Sequence, residues 1–249
     1  MARSTAPPQV TICLLTYGDF PQLARRAMDS IRQKCLRADY RLVVGANAVC
    51  PETLELLNAR HQAGEIDHLI VSAANLSKCP MMRRMFAVVE TEYIWWFDDD
   101  SYVARQYALS RWLATAKASP RSTVIWGTMS CCTHPSAFAE MDDAVGFVRK
   151  ASWYQGLPPP SWRVGGGGDF NFRELGVGDG RWQFILGGCF MIRTAAVQAL
   201  DWPDHRLFRT GDDVFLGEAI RQQGWQQANI SSHGVTLNTE PRRGPIRPL

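Results

Sequence analysis

The chain has 249 residues, 46% of them hydrophobic and 20% charged, an ordinary globular composition and enough for one α/β core with an inserted loop region. A formal charge of +3 is too small and too dispersed for a nucleic-acid partner, and the basic stretch with Arg242, Arg243 and Arg247 offers at most weak contact to a membrane surface. MARSTAPPQV lacks the apolar core of a signal peptide, no later segment approaches a membrane span, and seven irregularly spaced cysteines make no disulfide framework, which together point to a soluble, cytoplasmic protein with reduced thiols.

From the amino end the pattern is repeated strand-helix units, the signature of a mostly parallel sheet. VTICLLT (residues 10–16) is the first strand, and Tyr17, Gly18 and Asp19 break it before a helix starting near Pro21. RLVVGA (41–46) is the second strand, the helix after Pro51 carries Leu54, Leu56 and Leu57, and HLIVS (68–72) is the third strand. A helix over residues 80–90 leads into YIWWF (93–97), an apolar run without polar alternation that suits a strand covered on both faces. That run drives straight into Asp98, Asp99 and Asp100. Ligands of open α/β sheets bind at the carboxyl ends of the strands, and hard divalent cations favour carboxylate oxygens together with phosphates. A metal-diphosphate site is the leading expectation; a solvated acidic turn is the plain alternative.

Residues 104–117 read as helix and STVIWG (122–127) as a fifth strand. Residues 130–182 change character, with Pro158 to Pro160, Gly165 to Gly168, then Gly176, Gly178 and Gly180. Such glycine density marks long loops, in which Trp153, Tyr154, Trp162 and Trp182 either form an acceptor platform or pin the insertion to the core. Cys131, Cys132 and His134 lack a second metal-binding half, so structural cysteines are favoured there over zinc. FILGGCFMIR (184–193) restores a strand, and glycines inside a strand mark a bulge or a close approach, here at Gly187 and Gly188. Asp212 and Asp213 then open a helix that ends near Gly224; one of them is expected as the N-cap, leaving the other for chemistry.

Strand-terminal acids, a double-glycine strand, an acidic helix start and a late histidine, in that order, resemble the nucleotide-sugar glycosyltransferases of GT-A fold, both the large bacterial family 2 and the fringe-type β-1,3-glycosyltransferases. FDDDSYV resembles their Asp-x-Asp motif, LGGCFMIR their Gly-Gly strand, DDVFLGEAI their acidic helix start, and SSHG (231–234) the histidine that completes the metal site. The resemblance implies an α/β, Rossmann-like GT-A domain over residues 1–249. Its mostly parallel central sheet has flanking helices and a Gly/Pro-rich acceptor-side loop region, with a nucleotide-sugar-binding half (1–129) and an acceptor-binding, catalytic half (130–249). It implies an inverting, metal-dependent, hexosyltransferase-like enzyme that moves a sugar from a nucleotide-sugar, a UDP-sugar first, to a hydroxyl of a glycan or other acceptor.

The residue roles follow from the same resemblance. Asp100 and Asp98 would hold the metal with His233, Mn²⁺ being preferred to Mg²⁺ because it better tolerates imidazole. Alternation along an extended segment would turn Asp98 and Asp100 to one site and Asp99 elsewhere or to the turn. Asp213 would take the acceptor proton, with Asp212 the competing base and Glu218 a third. Donor contacts would come from Thr16, Tyr17, Asn47, Lys78, Arg83 or Arg84, Asp98, Asp99, Gly187 and Gly188. Two departures stand out: Gly45 occupies a place where many family 2 members have a nucleoside-contacting aspartate, with Asn47 as the substitute, and NLSKCPMMRRM follows the family's Asn-x-Gly and arginine pattern only loosely. The rival readings are a non-catalytic nucleotide-sugar or glycan-binding protein, against which the intact acid set counts, and a sugar nucleotidyltransferase. The latter needs a basic glycine-rich loop after the first strand, which TYGDFPQ is not.

Overall fold

The computed structural model describes residues 7–132, 143–157, 182–208, 211–230 and 234–237. In chain order these form β1 (Val10–Gly18), α1 (Pro21–Lys34), β2 (Tyr40–Val49), α2 (Pro51–Gln62), β3 (His68–Ser72), α3 (Lys78–Phe86), β4 (Tyr93–Asp98), β5 (Tyr102–Val103) and α4 (Ala108–Ala118). They continue with β6 (Thr123–Cys132), α5 (Ala144–Arg149), β7 (Trp182–Arg193), α6 (Thr194–Leu200), α7 (Asp212–Gln222), β8 (Gln226–Asn229) and β9 (Val235–Thr236). Seven strands make one sheet in the order β3-β2-β1-β4-β7-β6-β8, while β5 and β9 pair separately. Within the large sheet only β7 runs against its neighbours. The mostly parallel α/β architecture expected from the strand-helix alternation is the one observed.

The apolar run of β4 is a central strand buried on both faces, as its lack of alternation predicts. Ile94 and Trp96 enter the core shared with α3 and α7, where Trp96 stacks on Phe190 and meets Phe86 edge-on. Tyr93, Trp95 and Phe97 enter the opposite core with α1 and α4, where Trp95 packs 5.6 Å from Trp112. Pro21 and Pro51 open α1 and α2, a first-turn position where the missing N–H costs nothing. Gly45 has a packing reason: a Cβ there would come within 2.5 Å of Met85 Sδ, so β2 carries no side chain where α3 presses on it.

Some elements differ from expectation. The helix expected over 104–117 begins only at Ala108, because Tyr102 and Val103 are drawn off to pair with Thr236 and Val235. The helix expected over 80–90 starts at Lys78 and ends at Phe86. The strand at STVIWG runs on to Cys132, paired across to Trp182. The polar strand β8 and the short helices α5 and α6 carry little periodic signal and escape a hydropathy reading. Trp153 and Trp182 are core residues rather than a platform: Trp153 Nε1 bonds Asp204 Oδ2 at 3.2 Å and Trp182 packs edge-on to Phe215. Trp162 and the glycine clusters lie outside the described residues.

Candidate active site

The carboxyl ends of β1 and β4 meet the middle of β7 and the start of α7, and the carboxylates of Asp98, Asp100, Asp212 and Asp213 lie within electrostatic reach of one another there. Ser101 N closes a turn onto Asp98 O at 3.0 Å, so β4 stops at Asp98 and puts Asp99 and Asp100 at the corner. Trp96, two residues earlier on the same strand face, donates Nε1–H to Asp98 Oδ1 at 3.2 Å. The other Asp98 oxygen faces Lys78 Nζ at 3.1 Å, and the same ammonium lies 3.2 Å from Asp212 Oδ2 and 3.1 Å from the Gly187 carbonyl. Gly187 N in turn donates to Asp213 Oδ2 at 3.1 Å, while Asp213 Oδ1 accepts from Val214 N at 2.9 Å. The double glycine is therefore a close approach: a Cβ on Gly187 would stand 3.1 Å from Lys78 Nζ and 3.2 Å from Asp212 Oδ2.

Burial and crowding of like charge govern the electrostatics. Desolvation, reinforced by Asp100 and Asp212, pushes the Asp98 carboxyl up to about 6 even though Lys78 pulls the other way. Desolvation and the Asp212 charge push Asp213 up to about 6 as well, against Lys78 and its two backbone hydrogen bonds. Burial would lower the Lys78 ammonium, but Asp212, Asp98 and Asp213 outweigh it and raise it. One fixed cation thus faces three carboxylates.

Several sequence-predicted residues have partners within the fold. Thr16 is fully buried and bonds the Gly45 carbonyl at 2.9 Å, tying β1 to β2. Asn47, 2% exposed, bonds Leu76 N, Asn75 Oδ1 and Ser77 O, and shapes the loop before α3. The Asp99 carboxylate, on a residue 1% exposed, accepts from Tyr17 N and fastens the corner to β1. Arg83 bonds the Asp201 and Pro203 carbonyls and pairs with the Asp201 carboxylate, which commits it to the loop after α6. Neither Asp212 nor Asp213 is an N-cap: Gly211 holds that place in a left-handed conformation, and both aspartates lie in the first turn. Glu218 is buried against Arg221 and Gln222, a structural pairing. Gly188 O accepts from Ser101 Oγ at 3.2 Å, tying β7 to the acidic turn. His233 lies outside the described residues, although Gly234 after it accepts from Ala104 N at 2.7 Å, just past that turn.

Residues 7–243 match the family described as glycosyltransferase-like family 2. The chain belongs to that family. No curated protein sequence matches it. Among solved structures, the mannosyltransferase PcManGT from Pyrobaculum calidifontis, in complex with GDP-Man and Mn²⁺, aligns with a TM-score of 0.60 at 15% identity over 96% of this chain. TarS 1-349 from S. aureus aligns with a TM-score of 0.55 at 12% identity over 90% of this chain. At such identities the likeness is one of fold, GT-A in both, and this chain spans only 59% and 58% of those two chains.

In this family 2 glycosyltransferase domain, two residues that sequence reading missed support the acidic corner from α1. Arg26 Nη2 donates to Asp100 O at 3.4 Å with its guanidinium 4.7 Å from the Tyr102 ring, and Ser30 Oγ accepts from Val103 N at 3.0 Å. Nothing in a helical Arg and Ser one turn apart marks them, and Trp96 is read in the sequence only as part of an apolar strand. Among the described residues no three His, Cys, Asp or Glu side chains converge to hold a metal ion. The donor set nevertheless fits a hard cation: Asp98 and Asp100 offer oxygen ligands beside an uncompensated excess of negative charge, with coordination left for phosphate oxygens. No described helix is long and apolar enough to cross a membrane.

Proposed function

We propose that this domain transfers a sugar from a nucleotide-sugar, a UDP-sugar or GDP-sugar, to an acceptor hydroxyl with inversion, and that it needs a divalent cation, Mn²⁺ first. The observation that carries this reading is the gathering of Asp98, Asp212 and Asp213 around Lys78 where β4, β7 and α7 meet. PcManGT, similar in fold, binds GDP-Man with Mn²⁺, which supports both the donor class and the ion.

Asp98 and Asp100, with His233 as the third ligand, would hold the ion. Bound there, it supplies neutralisation of the charge that develops on the leaving diphosphate. The chain's own residues do the rest. Asp213, fixed by the Gly187 and Val214 amides, accepts the acceptor's hydroxyl proton. As that proton moves, the acceptor oxygen bonds the anomeric carbon, and the carbon–oxygen bond to the diphosphate breaks with its electron pair going to the diphosphate. A carboxylate raised to about 6 is well matched to this task near neutral pH. The buried Trp96 indole beside Asp98, and the burial of Asp212, lower the dielectric in which these carboxylates act.

Thermal denaturation with UDP, GDP and their sugars tests the reading, since a ligand that binds only the folded state raises the melting temperature. Stabilisation is expected to be larger with Mn²⁺ than with chelator, and Asp100→Ala is expected to erase that difference. Equal stabilisation in chelator would remove the metal assignment, and no stabilisation by any nucleotide-sugar would remove the donor assignment.

A further inference from the structure

The geometry points to Lys78 as a built-in cation of the site, a positioning residue that holds the base-bearing helix α7 against the donor-side strand β4 before any metal arrives. Its ammonium is the single described group that touches both sides, Asp98 on β4 and Asp212 on α7, and it also binds the Gly187 carbonyl between them.

The fold aims this side chain with unusual care. Lys78 is the first residue of α3, and the loop before it is pinned by Asn47, which bonds Leu76 N, Asn75 Oδ1 and Ser77 O from a fully walled position on β2. Ser77 takes a left-handed φ of 70°, a conformation that non-glycine residues adopt only where their surroundings enforce it. Cys79 N bonds Phe208 O, and Cys79, Met81, Met82 and Met85 bury the helix, so α3 cannot rotate its first residue away. The Lys78 side chain is only 19% exposed, with its Nζ 5.9 Å from the Trp96 ring centre. The lack of a Cβ on Gly187 leaves the room its head group occupies.

What the ammonium occupies is a cation position between carboxylates. If it is removed, Asp98 and Asp212, which share it at 3.1 and 3.2 Å, face one another without a counter-charge, and carboxylate oxygens so placed attract a hard cation. Tethering the charge to the protein fills this position without a second ion and keeps Asp212 away from the base role, leaving Asp213 to it. This role builds on the transferase reading above, but its test uses neither nucleotide nor acceptor.

The test is Mn²⁺ titration of the whole chain without nucleotide, followed by the electron paramagnetic resonance signal of free Mn²⁺. Lys78→Met is expected to bind Mn²⁺ about 10-fold or more tighter than wild type, the direction that added unpaired carboxylates give. Lys78→Arg is expected to keep wild-type uptake, and adding Asp212→Asn to Lys78→Met is expected to cancel the gain. Unchanged uptake in Lys78→Met, or a gain that survives Asp212→Asn, overturns the proposal. Should Lys78→Met fail to fold, recovery of the fold by Mn²⁺ or by Asp212→Asn supports it, and failure of both overturns it. The transferase reading fails separately, by nucleotide-sugars leaving the wild-type melting temperature unmoved.

Discussion

The two ends of the central sheet are both polar, and they differ in how their charges are balanced. At the amino ends of β1, β2, β3 and β4 lies a hollow of about 640 Å³ bordered by Thr11, Arg41, Asp67, His68 and Glu92. There Asp67 is answered by Arg37 at 2.7 Å, by Arg41 at 3.0 Å and by the Leu42 amide at 2.7 Å, and Glu92 by Arg193. At the carboxyl ends the carboxylates outnumber the one ammonium, and that ammonium fills much of the space between them. Excess negative charge around one ammonium, against charges answered pair by pair, is what separates the two ends.

The sharpest way to break this comparison is Asp213→Asn, which keeps size but cannot take a proton. Transfer is expected to fall by about 10²–10⁴-fold in kcat with donor affinity nearly kept, the usual contribution of a positioned base. Single-turnover rates with saturating donor check this, and a wild-type rate would return the base to Asp212. Gly187→Ala comes next: with a Cβ 3.1 Å from Lys78 Nζ and 3.2 Å from Asp212 Oδ2, it displaces the charged heads more than the strand. A loss of roughly 10-fold in kcat/KM with a melting temperature within a few degrees of wild type is expected from such a misplacement.

The pH dependence of the two ends should have opposite signs. Burial would raise Asp67, but the Leu42 amide, Arg41 and Arg37 bring it below the ordinary carboxylate value, so its stabilisation is complete above about pH 4 and is lost as pH falls through its lowered value. Asp213, raised to about 6, holds in the folded chain a proton that the unfolded chain gives up earlier, so its contribution to stability declines as pH rises from about 4 to 6. Thermal melts should show Asp67→Asn removing a slope below about pH 4 and Asp213→Asn removing one between about pH 4 and 6; slopes of the same sign would contradict the contrast. Activity is expected to drop below about pH 6 as Asp213 takes up its proton. The smallest effect is that of Asp67→Ala on function: with its arginine partners 43% and 57% exposed, it should cost only about 1–2 kcal/mol of stability and leave transfer unchanged.

Periodicity made the frame legible. An unbroken apolar run names a two-sided strand, and β4 is one; a glycine pair in β7 announces a close approach, and Lys78 makes it. Motif order led to Asp98, Asp212 and Asp213, which the fold does bring to one place. What hydropathy cannot see is where a polar side chain spends its hydrogen bonds. Thr16, Asn47 and Asp99 stand at strand ends, and each also fastens backbone with a hydrogen bond that hydropathy does not announce. Arg83 and Lys78 share a helix and a charge, and only the turn of α3 sends one to the loop after α6 and the other to the carboxylates. Contacts between distant segments, such as β5 with β9 or Arg26 with Asp100, leave no mark in local sequence.

The reversed strand β7 is also longer than its neighbour. Its pairing with β4 ends at Cys189 opposite Phe97, while its first residues run on beside β6 until Trp182 faces Cys132. The intervening chain therefore departs and re-enters at adjacent rungs of one ladder, α5 is held by Arg206 on the Phe147 carbonyl, and the residues after it are moored by Trp153 to Asp204 and by the Gln155 and Leu157 amides to Gln222. Closing a loop between fixed neighbours grows more costly only slowly with its length. Changes of length between Cys132 and Trp182 are therefore expected to cost little stability, because the paired rungs that bracket them already hold the two ends together.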